Sequence, residues 1–199
     1  MNHINADSKS TAVSEGSYRL FLFIVAAQVV TTIFVLRWLG QGFWCECGRA
    51  VMWISSASSA HTSQHLFDPY SFTHIAHGFV FCGLFAMVGP RTRISHRFLM
   101  AIAIECLWEI FENTPFVINR YRTATAALGY EGDSIANAVS DIVACGAGFL
   151  FATKFGWRIT LPVFAATEVL LLATIRDSLV LNVIMLCFPI DAIRQWQLG

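Results

Sequence analysis

Residues 20–39 read LFLFIVAAQVVTTIFVLRWL, and no other stretch says as much about the fold. At about 1.5 Å of rise per residue the segment covers roughly 30 Å, the thickness of a bilayer's hydrocarbon core. A cleaved secretory signal would need a basic start, a shorter apolar run and a small-residue cleavage site. The polar residues before Tyr18 and Arg19 lack that pattern, so the segment is expected to stay attached as a membrane span.

Working outward, apolar runs recur at residues 72–88, 98–116, 135–153, 159–175 and 179–193. The expectation is an all-α, polytopic integral membrane bundle of six transmembrane helices. Only Arg176, Asp177 and Ser178 separate the last two runs, and Pro189 interrupts the final one. Five spans plus a re-entrant or interfacial C-terminal segment is therefore the competing arrangement. Residues 1–17 read as a flexible cytoplasmic tail, and residues 18–199 as a single membrane domain with an extracytoplasmic loop at 40–71.

Whole-chain composition agrees. Hydrophobic residues make up 56% of the 199 and charged residues only 13%, about half the share of a soluble domain. Zero formal net charge removes the polybasic attraction expected of a nucleic-acid binder, which leaves membrane lipid as the general partner. Lys9 and Arg19, then Arg91, Arg93 and Arg97, then Lys154 and Arg158 occupy alternate short segments and point inward. With six spans, both termini are expected in the cytoplasm, in the inner membrane if the cell is bacterial. Arg120, Arg122 and Arg176 fall on the opposite side and require a reason of their own.

Polar side chains gather in that outer half. Glu105, Glu109 and Glu112 are spaced four and three apart on one helical face, with Asn113 next. Asp133, Asn137 and Asp141 repeat the four-residue spacing at the start of the following span. His74 and His77 share a face of the second span, while Glu168 and Asn182 sit near the outer ends of the last two. Charge facing lipid costs about 2.5 to 3.5 kcal/mol at a span centre, so these faces are expected to turn towards one another. They make either a ligand or catalytic site or a polar network that fixes helix packing.

The loop adds Cys45-x-Cys47 and His61-x-x-x-His65-x-x-Asp68. On a helix, His61, His65 and Asp68 would share one face, and with His74 or His77 they offer the ligands of zinc, manganese or non-haem iron. The assigned divalent-metal ligands are His61, His65, His74, Glu109, Glu112 and Asp141, with Glu105, His77 and Asp133 as proton-moving residues. Arg120, Arg122, Arg176, Asn113 and Asn137 are the expected substrate contacts, the guanidiniums receiving a lipid-linked or other anion. Cys45 and Cys47 are open to disulfide formation or thiolate ligation. Cys82, Cys106, Cys145 and Cys187 read as small packing residues.

The blocks WCECG at 44–48, SQHLFDPYSFTHIAHG at 63–78, ECLWEIFENTPFVINRYR at 105–122 and GYEGDSIANAVSD at 129–141 carry a resemblance. The chain resembles the alphaproteobacterial inner-membrane family catalogued as domain of unknown function 2585. The resemblance implies a small polytopic membrane protein and transfers no reaction. Function therefore rests on the residues: an outward-facing metal-dependent hydrolase or transferase acting on a lipid-linked or amphipathic anion. The alternatives are an ion or small-solute transporter using Glu105, Glu109, Asp141 and Glu168, and a non-catalytic accessory subunit.

Overall fold

A computed structural model describes residues 4–199, with side chains described from Glu15 onward. The tail expected over 1–17 falls mostly outside those side chains. Eight helices follow in order: α1 (Ile4–Leu39), α2 (Ser71–Val88), α3 (Ile94–Glu112), α4 (Pro115–Ala124), α5 (Ile135–Phe155), α6 (Trp157–Ile175), α7 (Leu179–Cys187) and α8 (Asp191–Leu198). The fold is an all-α polytopic bundle.

Four helices are long and apolar enough to cross a bilayer: Glu15–Leu39 of α1, and α2, α5 and α6. Helix α3 has the length, but Glu105, Glu109 and Glu112 interrupt its apolar character. Phe23, Phe34, Trp38, Met87, Leu107, Leu150, Trp157 and Leu161 are all exposed, a surface that suits lipid and not water.

Central to the bundle is α5, most of whose length is buried, whereas α1 and α6 are largely exposed. Its closest neighbour is α2. A side chain at Gly78 would collide with the Cys145 carbonyl and the backbone of Gly148 and Phe149, and one at Gly148 would collide with the Ile75 carbonyl. Because lipid is as apolar as a helix face, such close backbone approach, and not transfer from water, is what holds membrane helices together. Helix α3 lies against α1 and α5 and more loosely against α2.

The two ends of the bundle differ. At one end Phe21 meets Phe98, their ring centroids 5.7 Å apart, and Gly156, at φ 71°, turns α5 into α6. At the other, Leu36 packs with Ile135 and Ala138 beneath the 40–70 loop. Thr114, Ser134 and Ser178 accept from backbone N–H groups three residues on, at Val117, Asn137 and Leu181, and so start α4, α5 and α7.

The sixth expected span is not one helix. Helix α7 has nine residues, about 13 Å of rise, too short to cross. The chain breaks at Phe188 and Pro189, and α8 follows. Arg176 donates to the Trp196 carbonyl at 3.0 Å and Arg194 to the Thr125 carbonyl at 3.3 Å. Helix α8 therefore lies at the loop end, beside the ends of α4 and α6. The C-terminal helix and the Tyr18 end of α1 sit at opposite ends of the bundle.

Candidate metal centre

Helices α2 and α3 run in opposite directions, so the first turns of α2 face the last turns of α3. The Nδ1 of His74 is 2.6 Å from Glu105 Oε1 and 3.3 Å from Glu109 Oε1, and its Nε2 is 3.8 Å from Asp141 Oδ2 on α5. The Nδ1 of His77 is 3.0 Å from Glu105 Oε2. His74 and Asp141 are buried, and Glu105 and Glu109 are 0% and 1% exposed. The expected meeting of acidic and imidazole groups from separate helices is present.

Two sets of ligand atoms lie within 4.8 Å of one another here: His74, His77 and Glu105, and His74, Glu109 and Glu112. Both share His74, whose Nδ1 is already engaged by Glu105. Asp141 approaches His74 from the opposite side of the ring and belongs to neither set. Three buried carboxylate oxygens, Glu109 Oε1, Glu109 Oε2 and Asp141 Oδ1, have no hydrogen-bond partner. The His74 contact with Glu109 is close enough for charge attraction but lacks hydrogen-bond geometry. A buried carboxylate without donors is costly unless a cation or a proton accompanies it.

A second cluster stands in the loop. Among the described residues no α-helix lies between Leu39 and Ser71, so the helix expected to align His61, His65 and Asp68 is replaced by turns. Those turns bring Cys45 Sγ within 3.3 Å of His61 Nδ1 and Cys47 Sγ within 3.6 Å of His65 Nε2. In the sequence the histidines read as ligands, and the cysteines stay open between thiolate ligation and a disulfide. Cys-x-Cys followed by His-x-x-x-His within 21 residues was the available signal. Asp68 is no ligand here: its carboxylate accepts from Ser63 N at 2.7 Å and Tyr70 N at 2.8 Å and fixes the loop. Burial raises the Asp68 carboxyl despite those donors. Burial also raises the Cys45 thiol and lowers the His65 imidazole, while the backbone at Arg49 lowers the exposed Cys47 thiol. Both clusters carry the donor types that coordinate a divalent ion.

Asp133 sits beside this centre as a helix-entry brace. Asn113 Nδ2 donates to its Oδ2 at 2.8 Å, Tyr130 Oη donates to its Oδ1 at 3.0 Å, and its own N–H donates to Asn113 Oδ1 at 2.6 Å. Burial raises its carboxyl. Asn137 donates to the Leu66 carbonyl. Glu168 receives the N–H groups of Leu179 and Val180, both at 3.0 Å, at the start of α7.

The arginines are engaged with the protein backbone. Arg120 donates to the carbonyls of Leu186 and Cys187 at the end of α7. Arg122 donates to the Tyr130 carbonyl and stands 3.8 Å from Glu131. Arg176 and Arg194 hold α8 and the end of α4 as described above. Guanidiniums at helix C-termini satisfy carbonyls that have no partner within the helix, which accounts for charge at the loop end that the inward-pointing pattern leaves unexplained.

Fold and clusters together define a small polytopic helical membrane protein with metal-capable groups buried among its spans. Residues 36–199 match the family described as "Protein of unknown function (DUF2585)", and the chain belongs to that family. It is 41% identical over 184 residues to a UPF0314 protein of Sphingopyxis alaskensis, covering 92% of this chain and 98% of the relative. It is 43% identical over 180 residues to a UPF0314 protein of Brucella anthropi, covering 88% and 91%. A third relative, from Sinorhizobium fredii, is 43% identical over 178 residues, covering 89% and 88%. No solved structure matches the chain.

Proposed function

We propose that the chain is an outward-facing, metal-dependent enzyme of the bacterial inner membrane, a hydrolase or transferase for an amphipathic or lipid-linked substrate. The observation that carries this reading is the set of partnerless oxygens on Glu109 and Asp141 beside His74. Four carboxylates, Glu105, Glu109, Glu112 and Asp141, face two imidazoles, His74 and His77. Fully ionised, the four carboxylates carry four negative charges, and an imidazole that binds a metal or accepts a proton is neutral and offsets none of them. His74, Glu109 and Glu112 would hold a divalent ion that offsets two of those charges.

When bound, such an ion supplies Lewis acidity to a water, carbonyl or phosphoryl oxygen. The chain's own part is proton handling. Glu105 takes the Nδ1–H of His77 and so leaves Nε2 as the proton acceptor, the usual consequence of a carboxylate behind an imidazole. Partly exposed His77 and Trp108, their rings 5.9 Å apart, stand where α2 and α3 pack loosely. Their partial exposure supports entry from the lipid side. With the arginines occupied, an anionic group on the substrate would meet the ion instead.

Beneath the cluster, Phe85, Ala101 and Phe149 form a buried apolar layer joined by Phe81 and Phe98. This layer favours a dead-ended site over a transport path. Orientation is supported by Arg91, Arg93, Arg97, Lys154 and Arg158 at the far end. On that basis α1, α2, α3, α5 and α6 span, α7 and α8 cover the outer face, and the C-terminus is extracytoplasmic.

The test is metal analysis of natively purified protein, paired with turnover of ester and phosphoester lipid analogues in micelles. Glu109→Gln should lower metal content by about one ion per chain, since it removes a charged ligand. His77→Ala should abolish turnover with metal retained. Unchanged metal content in Glu109→Gln would overturn the assignment.

A further inference from the structure

The loop between α1 and α2 lies over the α5 entry, yet among its described residues it contains only one bridge, between Trp53 and Phe67. Ordered loops of this length inside a compact domain are uncommon and need something to hold them. Asp68 anchors the second half through Ser63 and Tyr70. The first half is tied at its two ends, by the Ile135 and Ala136 N–H groups on the Gly42 and Phe43 carbonyls and by the pairing of Met52 and Ile54 with Phe67. Trp44 Nε1 donates to the Arg49 carbonyl at 2.9 Å, and Gly48, at φ 65°, closes a tight turn onto the Cys45 carbonyl. That turn places both sulfurs on the histidines.

We infer that Cys45, Cys47, His61 and His65 form a closed, structural zinc site that staples the two halves of the loop, separate from the carboxylate centre in the bundle. One ligand atom from each residue lies within 4.8 Å of the other three. With Zn–S near 2.3 Å and Zn–N near 2.05 Å, a tetrahedral sulfur-to-nitrogen edge is about 3.6 Å. The two observed edges, 3.3 Å and 3.6 Å, match that length. Two thiolates and one zinc ion are neutral together, and sulfur ligands select zinc over the harder ions that carboxylates suit.

The neighbourhood fits a structural role. The ring of His65 is 2% exposed and meets Trp44 edge-on at a centroid distance of 5.5 Å. Its Nδ1 is buried with no hydrogen-bond partner, and the Val51 backbone stands beside it. A small shift of the ring, once Nε2 binds zinc, would give Nδ1–H the carbonyl that metal-bound imidazoles ordinarily require. Four protein ligands leave no open position, so this site supplies order and not chemistry. Its consequence is positional: Ser63 and Gln64 beside it donate or accept at the α5 entry, where Ser134 N donates to the Ser63 carbonyl at 2.8 Å and Gln64 donates to the Gly132 carbonyl at 2.7 Å. A stapled loop therefore sets the start of the helix that carries Asp141.

The experiment uses full-length reduced protein in detergent. Titration with cobalt(II) should produce the intense visible bands of a tetrahedral ion together with a thiolate-to-cobalt charge-transfer band, whose amplitude corresponds to about one sulfur-bound ion per chain. Glu109→Gln should keep both features, whereas Cys45→Ser with Cys47→Ser should lose the thiolate band, so failure here and failure of the bundle centre are told apart. Wild-type protein supplies a reading that needs no variant to fold. Zinc should slow alkylation of Cys45 and Cys47 by about tenfold or more, because only free thiolate reacts, with Cys82 and Cys187 as internal references. Equal alkylation rates with and without zinc, or a thiolate band surviving the double substitution, would overturn the site.

Discussion

Glu105 holds two imidazoles at once: His74 Nδ1 at 2.6 Å on one oxygen and His77 Nδ1 at 3.0 Å on the other. One buried carboxylate thus fixes the orientation of both rings across the α2–α3 interface. Glu105→Gln offers only one acceptor and turns an N–H₂ group on the other ring. The expected cost is about 1–3 kcal/mol, that of leaving a buried polar pair mismatched. Glu105→Ala should cost more, about 3–5 kcal/mol, since both rings lose their partner. Thermal unfolding in detergent gives the order, and an alanine variant as stable as wild type would show that the contact is ornamental.

Glu109 should behave in the opposite sense. In metal-stripped protein its two oxygens have no donors, so Glu109→Gln removes an uncompensated buried charge and should raise the unfolding midpoint. With metal added, wild type should gain stability in proportion to the logarithm of ion concentration over dissociation constant, and the variant should gain less. Comparing midpoints with and without a chelator checks both signs. A variant less stable than wild type in the chelated state would point to a packing role for Glu109 instead.

Much of this centre is legible in the sequence. Acidic residues at four- and three-residue spacing must share a helix face, and a face that cannot meet lipid must meet other such faces. Periodicity and charge together therefore brought Glu105, Glu109, Asp141, His74 and His77 into one region. The loop was less legible, because spacing alone suggested a helix through His61, His65 and Asp68, whereas Asp68 spends its carboxylate on Ser63 and Tyr70 and bends the chain into turns. The roles of Arg120, Arg176 and Arg194 lie in which distant carbonyl each one reaches, a tertiary fact with no local signature. Pro189 did mark the break in the last hydrophobic run, but the side on which α8 settles depends on those same arginines.

If Arg120 and Arg176 are fasteners, their loss should act on stability and not on the site. Arg120→Ala frees the carbonyls of Leu186 and Cys187, and Arg176→Ala frees that of Trp196. Each should lower stability by about 1–3 kcal/mol, the range for a charged hydrogen bond, with metal content unchanged. Proteolysis should become faster after α7. Loss of bound metal at full helicity would instead tie these arginines to the centre.

Gly78 and Gly148 test the central crossing. A methyl group at either position meets backbone of the opposing helix, which cannot rotate away. Gly78→Ala and Gly148→Ala should each destabilise by at least the roughly 1–3 kcal/mol of an overpacked interior. Gly83, on the same helix with nothing near its missing side chain, is the control, where alanine should be neutral or helpful. Unfolding midpoints of the three variants decide it, and a Gly83→Ala loss equal to that of Gly78→Ala would reject close approach as the cause.

Asp177 gives a pH signature separate from both metal clusters. It lies in the turn between α6 and α7, is 6% exposed, and accepts from Ser178 N at 2.9 Å and from Tyr70 Oη at 3.4 Å. Burial raises its carboxyl to about 6, with nearby Glu168 adding to the rise and the donors from Ser178, Asn182 and Tyr70 opposing it. In the unfolded chain an aspartate titrates near 3.9. Between those values the folded protein holds a proton that the unfolded chain has released. The contribution to stability is therefore complete below about pH 4, declines as pH rises through about 6, and is gone above it. A displacement of roughly two pH units corresponds to at most about 3 kcal/mol. Asp177→Asn keeps an acceptor for Ser178 and cannot ionise, so its unfolding midpoint should fall less than that of wild type between pH 5 and pH 8. The difference in slope reports the Asp177 carboxyl together with its coupling to nearby charge, and parallel curves would mean that the Asp177 carboxyl titrates as it would in water.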